Sequence, residues 1–348
     1  MVNYTDDYWK DVREVLACVP HVEKLYNKSI LITGATGMIC SSVAELLFEL
    51  NRNEGANIKI YLAGRSLLRM QQRFYCFKEG VDYTYVEYDA TSGKAINILP
   101  DFIIHGASPA DPTSLAKLPV ETIYSNIIGL KPLLELCKKE KGTRLLYVSS
   151  SEVYGKKDSP DPYKELDYGY VDILNPRACY PSSKRASETL CAAYKQECEV
   201  DFVIVRPGHI YGPTITDSDS RASAQFSRLA AQGKDIVMKS AGTQLRSYTY
   251  AMDCASAILT VLLEGNSGEA YNISNPDSIV SIRELAECIA KTAGVNVVFE
   301  QASDKELKGY NMMDNSSLCS IKIESLGWRG LFNLESGVYH TLKSYSYE

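Results

Sequence analysis

The sequence has no run of lysine and arginine, no apolar stretch of membrane-spanning length, and no Cys-x-x-Cys. With a formal net charge of −6, the first absence argues against a surface built to neutralise nucleic-acid phosphates. The second argues against a membrane span. Asp6 and Asp7 occupy the region where a secretory leader carries basic and then apolar residues. The expectation is a cytoplasmic protein with neither a nucleic acid nor a membrane as partner. Ten cysteines are present, but without paired spacing they do not read as a zinc knuckle or a thioredoxin-like site. A chain of 348 residues, 45% hydrophobic, buries a core without disulfide staples, so the cysteines are expected reduced. No metal site is expected, and no internal repeat or low-complexity stretch interrupts the chain.

Residues 1–27 read as a polar, partly helical extension. Ser29–Thr33 is a short β-branched run suited to a buried parallel strand, followed by Gly34-Ala-Thr-Gly37 and a helical apolar pattern from Val43 to Leu50. Ile58–Leu62, Phe102–His105 and Leu145–Val148 read as further strands, with a helix over Val120–Lys138 between the last two. This alternation predicts an α/β fold, a Rossmann-type doubly wound parallel sheet with a smaller C-terminal substrate-binding lobe. The dinucleotide-binding part spans 28–205. The lobe spans 206–348, with segments returning to the main sheet. Within it Thr214–Ser220 is a polar loop, and Ala222–Gln232 and Val280–Ala293 read as helices.

Strand, glycine turn and helix in that order give a glycine motif meaning. Gly34 permits the tight turn and Gly37 lets backbone amides approach a pyrophosphate, with Cys40 in the third small-residue position. Thr36, Met38, Ile39 and Ala107 complete this end of the candidate dinucleotide site. The second strand ends Gly64-Arg65-Ser66, without the carboxylate that holds the ribose hydroxyls of NAD. Arg65 either meets a 2′-phosphate or is a solvated surface arginine, and Asp89 is a candidate for the adenine end. The cofactor is NAD, with NADP left open.

The reacting groups are sought at Tyr180 and Lys184, which share a helix face at i and i+4. A cation beside the phenol favours the phenolate and lowers its pKa, which suits proton abstraction from an alcohol. Four segments together, Gly34-x-x-Gly37, Ala107-Ser108-Pro109, Ser149-Ser-Ser-Glu-Val-Tyr-Gly155 and Tyr180-x-x-x-Lys184, resemble the extended short-chain dehydrogenase/reductases acting on nucleotide sugars. The resemblance runs from about residue 28 to 340. Asn175 to Arg185 and Arg246-Ser-Tyr-Thr-Tyr250 are most similar to segments of the UDP-glucuronate decarboxylases.

The resemblance implies a nucleotide-diphosphate sugar as substrate, a transient 4-keto intermediate and a homodimer, to which the 1–27 extension could add contacts. It also implies roles: Tyr180 the base, Lys184 its cation, Ser150 a donor to the sugar hydroxyl, Glu152 near C5, and Arg246 near the diphosphate or reacting centre. Ser108, Ser151, His209 and Arg221 fall on the substrate side. Hexose 4,6-dehydratases of this group carry Asp-Glu where this chain has Ser151-Glu152, and serine is a poor general acid. A simple 4-epimerase does not need Glu152. Elimination leaves decarboxylation of an NDP-uronate, with 4-epimerase, 4,6-dehydratase and a non-catalytic dinucleotide-binding module as alternatives. The chain departs from the family at Gly208-His209, which replaces Phe-Asn. His209 is there either a satisfied loop histidine or a ligand contact, and His105 reads as structural.

Overall fold

The computed structural model describes residues 3–214, 219–301 and 313–345; of the polar loop Thr214–Ser220, residues 215–218 lie outside the described residues. In chain order the first elements are α1 (Asp6–Leu16), β1 (Ser29–Thr33), α2 (Met38–Asn53), β2 (Lys59–Gly64), α3 (Leu67–Arg73), β3 (Thr84–Glu87) and β4 (Phe102–His105). Next come α4 (Pro112–Lys117), α5 (Pro119–Lys139), β5 (Arg144–Val148), α6 (Cys179–Cys198), β6 (Asp201–Pro207), β7 (His209–Tyr211) and α7 (Ala222–Ala231). The remainder contains β8 (Ile236–Met238), β9 (Leu245–Tyr250), α8 (Ala251–Glu264), β10 (Ala270–Ile273), β11 (Ile279–Ser281), α9 (Ile282–Ala293), β12 (Val297–Phe299) and β13 (Asn315–Ser316). A short helix (Ile321–Glu324) and a C-terminal helix (Leu334–Lys343) follow.

Seven strands pair in the order β10-β6-β5-β4-β1-β2-β3, and every pair is parallel. The alternation along β1 shows why. Ile30 and Ile32 face the core made with α2 and α8, while Leu31 faces the one made with α5 and α6. A strand apolar on both faces needs helices on both sides, the doubly wound arrangement. The order reverses between β1 and β4, where Thr33 lies level with His105. Ligands of such sheets sit at the carboxyl ends of the strands at this switch point.

Beyond residue 206 the chain builds a smaller sheet around β9, which pairs with β7, β11 and β13. Between β9 and β11 it returns through β10 to the edge of the main sheet, pairing Ala270 with Ile204. α1 of the extension lies against α2 and α8 of its own chain. Its anchor is Glu45 of α2, fully buried, which accepts from Tyr4 Oη at 2.7 Å, from Tyr8 Oη, and pairs with Arg73 at 2.8 Å. The other end of α1 places the buried Asp11 between Tyr250 Oη at 3.0 Å and His340 Nδ1 at 2.8 Å. None of the ten cysteines is paired. No helix among the described residues is long and apolar enough to cross a membrane.

Candidate functional site

The dinucleotide cradle is made by close backbone approach. Gly34 has φ +68°, and a Cβ there would lie 2.8 Å from the backbone of Ala107, so only glycine joins β1 to α2 at this spacing. A Cβ on Gly106 would overlap Sγ of Cys40, which explains how cysteine replaces the third glycine. Gly37 caps α2 without a side chain, leaving the amides of the first turn, Met38 and Ile39 among them, without a side-chain cap. These residues fit a pyrophosphate held at a helix N-terminus. Thr36 sits half-buried in the turn between them. The loop after β7 reaches the same place, since Thr214 Oγ1 donates to Met38 O at 3.2 Å.

At the adenine end, Asp89 accepts from the amide of Thr91 at 2.9 Å and from its hydroxyl at 2.8 Å. The backbone donor first of all holds the Asp89 carboxyl below its usual range. Arg65 is exposed and lies 3.4 Å from Glu121. Neither residue supplies a buried ribose partner of the kind an acid at the end of β2 would give.

Tyr180 and Lys184 are both buried in the first turns of α6. The Lys184 ammonium donates to Val148 O at 2.7 Å and sits 5.7 Å from the Tyr180 ring. The expected lowering of the phenol pKa is not what the geometry produces. Burial first, then the charge of Glu152, pushes Tyr180 up to about 12, against weaker opposing effects of the Ser150 hydroxyl, Arg221 and Arg177. Burial likewise pushes Lys184 down to about 7, opposed by Glu188 and Cys40. An i, i+4 pattern reports proximity but not desolvation, which here outweighs it. Glu188 is itself fixed by Ser149 Oγ at 2.5 Å and by Nη2 and Nε of Arg206, at 2.6 and 3.0 Å.

On the sugar side, Ser150 caps the short turn Ser151–Tyr154, accepting from the amide of Glu152 at 3.2 Å. Ser151 is buried in that turn. Ser108 turns to Pro109 O at 3.0 Å. Glu152 is gripped from both sides by Arg177, at 2.8 and 3.0 Å. Arg246 on β9 is 3% exposed, yet among the described residues its side chain donates only to the carbonyl of Leu245, at 2.8 Å. Burial pulls its pKa down, and Glu152 is among the anions that oppose this. Arg221, at the start of α7, is paired with Asp219. His209 belongs to β7 and is not a loop histidine; its Nε2 lies 3.4 Å from Ser316 Oγ. Burial, then Arg246 and Arg221, pushes it down to about 3, so it is neutral at physiological pH. Gly208 is required by packing, since a Cβ there would lie 2.6 Å from Ser247 O. His105 is buried and bonded to Thr33 Oγ1 at 2.6 Å, a structural position.

The structure thus brings Tyr180, Ser150, Glu152, Arg221, Arg246 and His209 towards one place, beside the cradle. Arg65, exposed, and Asp89, half-buried, follow the carboxyl ends of β2 and β3. Two neighbours carried no role in the sequence. Asn126 on α5, fully buried, donates to Ser183 Oγ at 3.0 Å and so braces α6. Arg177 precedes Tyr180 by three residues, and that placement was its one available signal.

Curated relatives match most of the length of the chain. The chain is 29% identical over 318 residues to UDP-glucuronic acid decarboxylase 1 of Xenopus tropicalis, covering 91% of this chain and 72% of that one. It is 30% identical over 312 residues to UDP-glucuronic acid decarboxylase 3 of Arabidopsis thaliana, covering 90% and 87%. Among solved structures, UDP-glucuronic acid 4-epimerase from Bacillus cereus, in complex with UDP-glucuronic acid and NAD, superposes with a TM-score of 0.75 at 22% identity, covering 91% and 98%. dTDP-glucose 4,6-dehydratase from Bacillus anthracis, in complex with NAD, gives 0.74 at 22%, covering 91% and 96%. These two show a common fold. The glycine cradle, the buried Tyr180–Lys184 pair and all but the first residue of the parallel sheet lie within residues 30–274, which match the model of the NAD dependent epimerase/dehydratase family, and the chain belongs to that family.

Proposed function

We propose that this enzyme decarboxylates a nucleoside-diphosphate uronate of the UDP-glucuronate type through a transient 4-ketone. The observation that carries the reading is the pairing of a neutralised acid with a surplus cation. Glu152 is held by Arg177, while the buried Arg246 beside it has no carboxylate partner among the described residues. A sugar carboxylate is a group that such an arginine would accept. The decarboxylase relatives, at 29% and 30% identity, support the same substrate class.

NAD, when bound, would accept a hydride from the sugar and return it, so no external reductant is consumed. Gly34, Gly37 and the start of α2 would hold its pyrophosphate, with Thr36, Ala107, Tyr180 and Lys184 alongside. Tyr180 takes the proton of the C4 hydroxyl, and Ser150 hydrogen-bonds the same oxygen. The resulting 4-ketone makes the C6 carboxylate that of a β-keto acid, carbon dioxide leaves with its electrons drawn into the carbonyl, and the enolate left behind takes a proton at C5 from water before the ketone is reduced again. Glu152 faces C5, Arg246 orients the carboxylate, and Ser108, Ser151, His209 and Arg221 bound the substrate. Ser151, where dehydratases of this group place an acid, offers no good proton for a departing C6 hydroxyl.

Incubating the purified enzyme with UDP-glucuronate and measuring carbon dioxide and UDP-pentose tests the reading. Release of both in equal amounts is expected. Turnover of an NDP-hexose with none of UDP-glucuronate would instead establish the epimerase or dehydratase alternative.

A further inference from the structure

We infer that Arg177 is a specificity-determining residue that lets an anionic sugar lie against Glu152. This deepens the proposed function and rests on its assignment of a uronate. Four observations carry it.

The Glu152–Arg177 contact is a two-point fork, at 2.8 and 3.0 Å, between side chains only 22% and 20% exposed. A fork of this kind fixes the direction of the carboxylate as well as its charge. Second, the pair lies beside the reacting groups. The charge of Glu152 is felt by the Tyr180 phenol on one side and the Arg246 guanidinium on the other. Glu152 therefore borders the space where the proposed function puts the sugar. Third, Nε of Arg177 is buried without a partner among the described residues, and the side-chain hydrogen bonds it makes there are those to Glu152. Fourth, the charges balance. Among the described residues Arg177 pairs with Glu152 and Arg221 with Asp219, while Arg246 has no ion-pair partner there and is the cation left for the C6 carboxylate.

Without Arg177, an uncompensated Glu152 would face the incoming carboxylate at close range in a poorly solvated site, where like charges repel strongly. A neutral hexose would not meet that penalty. The role is thus charge compensation and positioning, exerted through Glu152, without direct contact with the reacting atoms.

Binding of UDP-glucuronate and of UDP-glucose to the holoenzyme, measured by calorimetry on wild type, Arg177→Gln, Arg177→Lys, Glu152→Gln and the double variant Arg177→Gln/Glu152→Gln, tests this. Arg177→Gln should weaken UDP-glucuronate by roughly tenfold or more, about 1.4 kcal/mol, while UDP-glucose changes by less than about threefold. The double variant should recover most of the lost UDP-glucuronate affinity, because the offending carboxylate is gone. Arg177→Lys should fall between wild type and Arg177→Gln, since it keeps charge but loses the fork. Equal weakening of both sugars, or no recovery in the double variant, would overturn the inference and leave Arg177 a structural residue. Preference of the wild type for UDP-glucose would overturn it too. Selective UDP-glucuronate binding that follows this pattern without carbon dioxide release would leave the inference standing and defeat the decarboxylase reading alone.

Discussion

At the scale of single residues, burial sets the chemistry of the site. Tyr180 is pushed up to about 12 by desolvation and by Glu152. Glu152→Gln removes one of those two causes, so the ionisation of Tyr180 should move to lower pH in the cofactor-free protein. Tyrosinate absorbance, referenced to Tyr180→Phe, reads this directly, and a midpoint that rises or stays put would contradict the assignment. Tyr180→Phe itself should keep the fold and lose about 10²–10⁴-fold in turnover, the usual contribution of a positioned acid–base group. Gly208→Ala drives a Cβ towards Ser247 O at 2.6 Å, and should cost about 1–3 kcal/mol in chemical denaturation. That close approach also explains why the family's bulkier residue has no place at 208 in this chain. The spacing of Tyr180 and Lys184 was legible in the sequence because a helix converts it into proximity. The grip of Arg177 on Glu152 was not. The two are joined across an irregular stretch of chain, and no periodicity reports such a contact.

At the scale of elements, strands buried on both faces were the readable ones. Ser29–Thr33 and Phe102–His105 have in the structure the limits expected from their apolar runs. β6 was not among the expected strands, although Phe202–Val205 is an uninterrupted apolar run; the Arg206 that follows it is neutralised by Glu188 of α6, a partner visible only after folding. Helix α9 begins at Ile282, two residues later than expected, because Val280 pairs with Arg246 in β11 and Ser281 forms a capping box with Glu284. The extension was read as polar, yet its tyrosines enclose Glu45. Glu45→Ala would leave Arg73 buried without its anion. A loss of about 3–5 kcal/mol in unfolding free energy is expected. A change below about 1 kcal/mol would show that α1 docks by apolar packing alone.

At the scale of the whole molecule, the seam between the nucleotide part, α1 and the C-terminal helix is lined with buried carboxylates. Asp253 is fully buried, accepts from the amides of Leu331 at 3.0 Å and Phe332 at 2.9 Å, and is pushed by burial to about 7. Asp11 is raised by burial as well. A carboxyl whose folded pKa is raised binds its proton more tightly in the native state. Its contribution is therefore complete below the ordinary value of 3.8 and is lost as pH rises towards about 7. Across that window the unfolding free energy of wild type should fall with rising pH relative to Asp253→Asn, whichever of the two is the more stable at the start. Parallel curves in urea titrations would exclude Asp253 as the source.

The edge position of β10 has a consequence for how the chain is made. Its partner β6 is synthesised well before it, and the intervening stretch contains His209, Arg221 and Arg246. During translation the main sheet therefore carries an open edge until the sugar-side residues have left the ribosome. An unpaired parallel edge invites pairing with another chain, and its closure over a long sequence separation is slow. A fragment cut near residue 205, although it would contain the glycine cradle, Tyr180 and Lys184, is for that reason expected to self-associate, whereas a chain extended through Ile273 can pair the β6 edge with its own β10.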